Sequence, residues 1–501
     1  MPVPPQQRAY FREGRPKSPH APRIGARFTR RASAMTCAVA LLSGLVHPAS
    51  ASGSAEEDAV EEEMAELQQK LHPPEAEGSD TAQLDANEVP EDVYLDQAED
   101  AVEAADELTA DDLRYAAAAE DRAATAYSGF YEVPASLPDE EGTLIRQKEN
   151  SFYIDPVRLV EHDASVHTIM YRTTDSTGAP RAAVASVLEP QRRDADPDSP
   201  VIVHAPGTQG MGDKCAPSRQ MAAGTQYEGL GVAAALEAGY TVVIPDYIGL
   251  GTEGTHTYMN RVDQGHAVLD VARAAQQAEG VNISAESPIH IRGYSQGGGA
   301  AASALELAAA YAPELNLTSG AAGAAPADLH DVAAQIDGSL YNAFLLFAMG
   351  GIIESEGLDP AEFLNQEGQA RLAEAAEQCT VSALVNHKFV DTSTLTTDGS
   401  SFTELVQREP FASIMSTQVL GDGRGPNVPV QVNHSMLDDV IPYSTGRNLA
   451  QRWCTAGTQV TFESNLGPTH VGGYAAAMPG VALFTSLSFS GSPLLNSCWR
   501  L

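Results

Sequence analysis

Residues 289–299 read Ile-His-Ile-Arg-Gly-Tyr-Ser-Gln-Gly-Gly-Gly and contain the pattern Gly-x-Ser-x-Gly, centred on Ser295. The run 289–292 predicts a strand before the pattern, and the alanine-rich run 298–311 predicts a helix after it. A sharp strand-to-helix turn strains the backbone of the serine and brings the two elements close together, so glycines are needed on both sides. The stretch therefore predicts a turn that exposes Ser295 at the start of a helix.

The same turn predicts a site for a negatively charged oxygen. At the start of a helix the backbone amide of Gln296 can point at a developing oxyanion, and the helix dipole favours negative charge there. A second donor should follow an earlier strand, where Pro206-Gly207-Thr208-Gln209-Gly210 supplies glycines that let an amide face the site. We expect this donor to be the amide of Thr208 or Gln209. A glycine turn with no catalytic part is the alternative.

A serine nucleophile needs a histidine base, and a carboxylate must hold that histidine in the correct tautomer. In chains with this strand–turn–helix signature the order is serine, acid, histidine. Of the 13 histidines, only His470 lies beyond the acidic pair Asp438-Asp439. His470 is therefore the candidate base, in a loop after a predicted strand. Spacing alone leaves Asp438 and Asp439 both open as the acid, and the other aspartate is expected to be a solvated loop residue or a helix N-cap.

From about Ser128 onward, short apolar runs alternate with helical patterns, which predicts a mostly parallel sheet with helices on both faces. Residues 166–172 and 181–188 read as an opening antiparallel pair of strands. Later strands are predicted at 201–204, 240–245, 289–292, 317–322, 428–432 and 459–462. Loops that carry functional residues should lie at the carboxyl ends of the parallel strands.

Nearly a hundred residues, 327–425, interrupt this rhythm with helical patterns. We interpret them as a cap inserted into a core formed by residues 128–326 and 426–501. The most apolar cap segment, 340–353, is too short to span a membrane. It fits either a buried cap helix or one wall of an acyl-binding tunnel.

Residues 1–51 have the layout of a signal peptide. A basic N-terminal region precedes the apolar run 34–46, and the small residues Ala49-Ser50-Ala51 follow it, which predicts cleavage after Ala51. An uncleaved anchor is the alternative, although the run is short for a membrane span. Thr29-Arg30-Arg31 hints at twin-arginine export, but the residues after the pair depart from that pattern, so the export route stays open.

The cysteines support an exported chain. Cys37 lies in the apolar run of the signal peptide, which leaves Cys215, Cys379, Cys454 and Cys498 in the mature protein. Their spacings match no zinc-site pattern, and disulfides are usual outside the cytosol. As a hypothesis we predict the pairs Cys215–Cys379 and Cys454–Cys498.

The formal net charge of −37 is concentrated in part near the N-terminus, where residues 53–125 contain 24 acidic residues against Lys70, Arg114 and Arg122. We interpret residues 52–127 as an acidic, disordered leader, with a solvated spacer, a propeptide and a surface-tethering arm as its alternative roles. Such a charge argues against nucleic acid or an anionic membrane as a partner. No motif indicates a metal, a cofactor or an obligate protein partner.

Several segments together resemble the secretory lipase family of lipase A-like α/β-hydrolases, over about residues 130–498. The segments are Phe130-Tyr131, Gly142-Thr143-Leu144-Ile145-Arg146, Tyr171-Arg172-Thr173-Thr174-Asp175, Cys215-Ala216-Pro217-Ser218, Asp246-Tyr247-Ile248-Gly249-Leu250-Gly251 and Gly293-Tyr294-Ser295-Gln296-Gly297-Gly298.

The resemblance implies an α/β-hydrolase fold with a helical cap over an acyl tunnel, and a disulfide from the Cys215 segment into the cap. The family acid is the first carboxylate of an Asp-Glu-x-Val-Pro-Tyr-like segment, which matches residues 438–443 and favours Asp438, and His470 matches the family histidine. This chain departs from the pattern at Asp439, where the family often has glutamate, and in its acidic leader.

The resemblance also implies hydrolysis of carboxylic esters, including triacylglycerols. We therefore expect a secreted serine lipase or esterase that acts on a small-molecule ester or lipid, with a lipid–water interface as one setting. A peptidase or acyltransferase on the same fold, and a non-catalytic surface binding protein, are the alternatives.

Overall fold

The computed structural model describes residues 128–155, 158–191 and 198–501. The predicted signal peptide (1–51) and leader (52–127) lie outside these residues. The described residues contain a nine-stranded sheet. Its strands are β1 (Leu144–Asn150), β2 (Ala164–Thr174), β3 (Pro180–Pro190), β4 (Val201–Ala205), β5 (Thr241–Pro245), β6 (Ile289–Tyr294), β7 (Leu317–Gly323), β8 (Val430–Ser435) and β9 (Val460–Asn465).

The strand order is β1-β2-β3-β5-β4-β6-β7-β8-β9. The pairs β1–β2, β2–β3 and β3–β5 are antiparallel. All pairs from β5–β4 to β8–β9 are parallel. Because β4 lies between β5 and β6, the chain turns to opposite sides after successive strands, and the loops after β4 and β6 meet at this switch point. Open α/β sheets bind their ligands at such a point.

All eight predicted strands are present, and β1 is an additional one. Its sequence, Leu-Ile-Arg-Gln-Lys-Glu-Asn, is mostly polar and none of its residues is fully buried. An edge strand that pairs on one side needs little apolar character, and charged side chains protect such an edge. For that reason apolar periodicity does not reveal β1.

Twelve α-helices lie in the described part of the chain. They are α1 (Pro217–Ala223), α2 (Gly229–Glu237), α3 (Arg261–Ala275), α4 (Gln296–Tyr311), α5 (Leu329–Ile336), α6 (Asn342–Glu356), α7 (Gln366–Ala376), α8 (Thr380–His387), α9 (Phe402–Leu405), α10 (Phe411–Gln418), α11 (Tyr443–Thr455) and α12 (Thr469–Phe489). None of these helices combines the length and the apolar character that crossing a membrane requires.

Helices cover both faces of the sheet. Residues of α3, α4 and α11 form one apolar cluster with β4, β6 and β8. On the other face, α1, α2 and Phe489 of α12 pack with β3, β4 and β5. The predicted fold class, a mostly parallel sheet between two layers of helices, is confirmed.

The helices α5 to α10 all lie between β7 and β8 and share a separate apolar cluster. The predicted apolar segment 340–353 falls in α6, whose side chains Leu346 and Phe347 are fully buried in that cluster. These helices occupy the region predicted as a cap. The exact boundaries of the core and the cap, 128–326, 327–425 and 426–501, stay a prediction.

Both predicted cysteine pairs occur as disulfides. Cys215 bonds to Cys379 and Cys454 bonds to Cys498, with Cα atoms 5.3 and 5.4 Å apart. The first joins the loop before α1 to the residue that precedes α8, and the second joins α11 to the C-terminal residues. Long-range cross-links of this kind restrict the unfolded chain.

Candidate active site

Ser295 lies between β6 and α4 with φ 60° and ψ −126°, a backbone conformation that a residue with a side chain rarely adopts. A Cβ atom on Gly293 would lie 2.1 Å from the carbonyl oxygen of Gly297. A Cβ atom on Gly297 would lie 2.1 Å from that of Ala205 in β4. Only glycine fits at both positions, which is the physical basis of the Gly-x-Ser-x-Gly pattern. The strained serine is held by its surroundings and does not result from local preference.

Asp438 and His470 are in direct contact. Both carboxylate oxygens of Asp438 accept from Nδ1 of His470, at 2.9 and 2.8 Å. An ionised carboxylate only accepts hydrogen bonds, so the proton of a neutral His470 ring lies on Nδ1 and Nε2 keeps its lone pair. The amides of Val440 and Ile441 donate to the same carboxylate at 3.0 and 2.8 Å, which fixes its orientation.

The structure corrects the expected location of His470. It is the second residue of α12, which begins at Thr469, whereas a loop was predicted. The ring packs against Tyr294, with the ring centroids 5.1 Å apart, and the Tyr294 hydroxyl donates to the His470 carbonyl at 3.0 Å. The residue next to Ser295 thus fixes the start of the helix that carries His470.

Ser295 and His470 are not hydrogen-bonded. Within the described residues, Nε2 of His470 is buried and has no hydrogen-bond partner. In ligand-free sites of this kind the catalytic hydrogen bonds are often long and shorten when substrate binds. The pair Asp438–His470 is therefore assembled, and the contact to Ser295 is not closed.

The environment of Asp439 differs from the one predicted for the second aspartate. It is neither a solvated loop residue nor a helix N-cap, because one of its oxygens accepts from the backbone amide of His470 at 2.7 Å. The other oxygen accepts from the hydroxyl of Tyr341, just before α6, at 2.6 Å. Asp439 therefore connects the segment that leads into the cap helices with the start of α12.

The pKa values of Asp438 and Asp439 are shifted in opposite directions. Burial would raise the pKa of Asp438, but the rings of His470 and His434 outweigh it and hold that pKa well below its usual range. Burial raises the pKa of Asp439, and the neighbouring charge of Asp438 adds to the rise. Burial opposes the charged form of His470, yet the two carboxylates overcome it and raise its pKa. Asp438 is thus the stronger counter-ion for a protonated histidine.

The loop after β4 borders the same region. Glu228, itself buried, accepts from the Gly207 amide at 3.0 Å. The side chain and the main chain of Thr380 donate to the carbonyls of Thr208 and Gln209, at 2.9 and 3.0 Å. These two bonds fix the backbone of Thr208 and Gln209. The cap and Glu228 together therefore hold the predicted oxyanion loop.

Gln296 has a second set of contacts. Its side-chain amide donates to Nε2 of His256 at 2.9 Å, and Nδ1 of His256 donates to the Ile248 carbonyl at 3.0 Å. Burial lowers the pKa of His256 to about 4, so the ring is neutral and accepts from Gln296. This anchor orients the first residue of α4, whose backbone amide lies at the N-terminus of the helix.

An apolar cavity with an interior volume of about 40 Å³ lies between Ser295 and the cap. Residues of α5, α6 and α10 line it together with Val440 and Ile441, the two residues whose amides hold Asp438. An apolar lining of this kind is typical of sites for small apolar ligands.

A profile of the secretory lipase family matches residues 216–497. The chain belongs to the secretory lipase family. A secreted triacylglycerol lipase of Malassezia restricta is 25% identical over 387 residues, which are 73% of this chain and 80% of that protein. A probable inactive lipase of Mycobacterium tuberculosis is 29% identical over 386 residues, 73% of this chain and 83% of that one.

Among solved structures, Candida antarctica lipase A in its closed state matches with a TM-score of 0.66 and 22% identity, over 75% of this chain and 88% of that one. At this identity the match concerns the fold, which is the α/β-hydrolase fold. The family assignment makes the chain a hydrolase of the lipase or esterase type.

In this member of the secretory lipase family, sequence reasoning missed the residues that hold the site from outside the motif. Glu228, Tyr341 and His256 come from three different segments and reach the site only through folding. Glu228 follows Gly224-Thr225-Gln226-Tyr227, a stretch with no recognisable chemistry, and no local signal marks it. His256 and Tyr341 likewise carry no pattern that relates them to Ser295.

Proposed function

We propose that this protein is a serine carboxylic-ester hydrolase in which Ser295 is the nucleophile, His470 the base and Asp438 the orienting acid. The observation that carries the proposal is the pair Asp438–His470, hydrogen-bonded through Nδ1, with the His470 ring packed on Tyr294, the residue before the strained Ser295. Among the described residues, the buried Nε2 of His470 has no hydrogen-bond partner. This combination leaves one ring nitrogen able to accept a proton and one hydroxyl able to supply it.

In the proposed reaction the Ser295 oxygen attacks the ester carbonyl carbon while Nε2 of His470 takes the hydroxyl proton. Collapse of the tetrahedral intermediate breaks the bond to the alcohol oxygen, and the proton on Nε2 passes to the leaving alkoxide. Water then attacks the acyl-serine and gives one proton to Nε2, which returns it to Ser295 as the carboxylic acid leaves. Asp438 stabilises the imidazolium in both halves of the cycle.

For the oxyanion hole we propose the backbone amide of Gln296 with that of Thr208 or Gln209. Two observations support this assignment. Gln296 opens α4 directly after Ser295, and the carbonyls of Thr208 and Gln209 are both occupied by Thr380. Donors that are fixed before the reaction stabilise the developing charge without reorganisation.

For the substrate we propose a long-chain ester such as a triacylglycerol, with the acyl chain in the cavity between Ser295 and the cap. The cavity is almost entirely apolar, and the Malassezia restricta relative is a secreted triacylglycerol lipase. We further propose export through a signal peptide at 1–51, and a cap at 327–425. N-terminal sequencing of the secreted protein tests the export proposal, and a mature chain that still contains Cys37 would contradict it.

A non-catalytic binding protein is the second candidate, because the Mycobacterium tuberculosis relative is a probable inactive lipase. Labelling with an alkyl fluorophosphonate separates the two candidates. We expect stoichiometric phosphonylation of Ser295, read by peptide mass, and hydrolysis of p-nitrophenyl esters that rises with acyl length. Ser295→Ala should lose both, while Ser413→Ala, an exposed serine on α10, should lose neither. An unlabelled but folded wild-type protein would favour the binding protein.

A further inference from the structure

A second apolar cavity lies behind β6, between α2 and α12. Its interior volume is about 110 Å³, and it shares no lining residue with the cavity under the cap. Small and flexible side chains leave the space open; they are Ala234, Ala235 and Ala238 of α2 and Ala477, Met478 and Ala482 of α12. Ala234, Ala238 and Ala482 are exposed, so the cavity opens to solvent between the two helices.

One cation lines this apolar space. Arg292, three residues before Ser295, points from β6 toward α2 and α12. Its Nη2 donates to the Gly231 carbonyl at 3.3 Å, and within the described ranges its buried Nε has no hydrogen-bond partner. Among the described residues no carboxylate lies within ion-pair distance of it. A guanidinium with an unused donor beside an apolar cavity can bind an anionic group.

Glu228, the carboxylate whose charge acts on Arg292, is hydrogen-bonded to another group. Glu228 accepts from the Gly207 amide and lies 3.5 Å from Nε2 of His204, which also lines the cavity. The Tyr474 hydroxyl is a neutral neighbour. Burial lowers the pKa of Arg292 in spite of these two groups. A carboxylate in the cavity could accept from the unused donor of Arg292.

We propose that this cavity binds the anion of a medium-chain fatty acid, with its carboxylate on Arg292 and its alkyl chain between α2 and α12. A monocarboxylate matches one guanidinium, which accepts it through paired N–H donors. A dianionic phosphate would bring a second charge that no other cation lining the cavity neutralises. The alanines and Met478 provide an apolar lining for the alkyl chain.

The site is separate from Ser295 but is mechanically connected to it. Tyr294 lines this cavity and also packs on His470, and Tyr474 packs on Tyr294 with ring centroids 5.2 Å apart. A bound anion would therefore contact the tyrosine that holds the start of α12. The binding proposal does not depend on the chemistry of Ser295, although an ester hydrolase releases ligands of this kind.

Calorimetric titration of the full chain at pH 8 with octanoate and with octanol tests the proposal. The cap cavity is first blocked by phosphonylating Ser295 with a long alkyl fluorophosphonate. We expect octanoate to bind at least about tenfold more tightly than octanol. Arg292→Met, which keeps the volume of the side chain but removes its charge, should abolish this difference. Equal affinity for the two ligands in the wild type, or unchanged octanoate affinity in Arg292→Met, would refute the site.

Two further variants keep the test decisive. Ala482→Phe places a ring at the exposed rim of the cavity and leaves Arg292 unchanged, so it should lower the affinity for both octanoate and octanol. Full retention of octanoate binding would show that the ligand lies elsewhere. Arg292→Lys should retain the preference for octanoate in reduced form. If Ser295 does not react with the phosphonate, the proposal of ester hydrolysis is refuted. The proposal of the anion site can still be tested by comparing wild type with Arg292→Met in unlabelled protein.

Discussion

The two neighbouring aspartates provide a sharp test of the proposed site, because one substitution in each should have very different effects. In Asp438→Asn the side-chain oxygen is drawn to the amides of Val440 and Ile441, which now donate to one carboxylate oxygen at 3.0 and 2.8 Å. The new NH₂ group then takes the place of the other oxygen, 2.8 Å from Nδ1 of His470. A donor at that position favours the histidine tautomer with its proton on Nε2, which cannot accept a proton from Ser295.

The expected loss in kcat for Asp438→Asn is about 10⁴-fold, the scale known for a wrong tautomer in a serine–histidine–aspartate site. This corresponds to about 5 kcal/mol of transition-state stabilisation. Asp439→Asn is the matched control, since its carbonyl oxygen can still accept from the His470 amide. We expect kcat to fall by no more than about tenfold, because a neutral hydrogen bond replaces a charge-assisted one.

The pH profile of kcat/KM separates the two roles further. His470 acts as a base only when neutral, so activity rises with pH through its pKa, which both carboxylates raise. Removing the charge of Asp439 lowers that pKa and should move the acidic limb to lower pH. Hydrolysis of p-nitrophenyl butyrate from pH 4 to pH 9, with circular dichroism as a folding control, provides the measurement. Equal losses in the two variants, or an acidic limb that moves upward in Asp439→Asn, would refute the reasoning.

Three further outcomes follow from the packing. Gly297→Ala should unfold the turn or lower the free energy of unfolding by about 3 kcal/mol or more in chemical denaturation, because the new Cβ would lie 2.1 Å from a backbone oxygen of β4. In Gly299→Ala the new Cβ meets only a proline side chain at 3.2 Å, so the free energy of unfolding should be within about 1 kcal/mol of the wild-type value. Replacing Cys454 and Cys498 together with alanine opens a cross-link that spans 44 residues and should lower the free energy of unfolding by about 4 kcal/mol; an unchanged melting temperature would show that the bond contributes nothing. Ala348→Phe fills the cavity under the cap and should reduce hydrolysis of p-nitrophenyl palmitate while sparing the acetate, and a parallel loss on both esters would contradict the placement of the acyl chain.

The residues of the proposed triad are identified by local sequence signals. Gly293 and Gly297 are required because a Cβ atom at either position would lie 2.1 Å from a backbone oxygen. The Gly-x-Ser-x-Gly motif therefore predicts the tight turn from the sequence alone. The order of serine, acid and histidine along the chain then selects His470, and the family-like segment 438–443 selects Asp438. Eight of the nine strands were predictable because they are largely buried and contain short apolar runs. The polar edge strand β1 carries no such signal.

Tertiary structure alone determined the remaining features. Asp439 bonds to a residue 31 positions away and to Tyr341, 98 positions away, and no local pattern encodes either contact. Glu228 reaches the Gly207 amide, and Arg292 reaches a cavity formed by helices that begin 63 residues before it and 177 after it. A sequence specifies which side chain is present and its local backbone preference. Whether a charge finds a partner depends on which distant segments fold against it, and that is decided only when the whole sheet and both helical layers pack together.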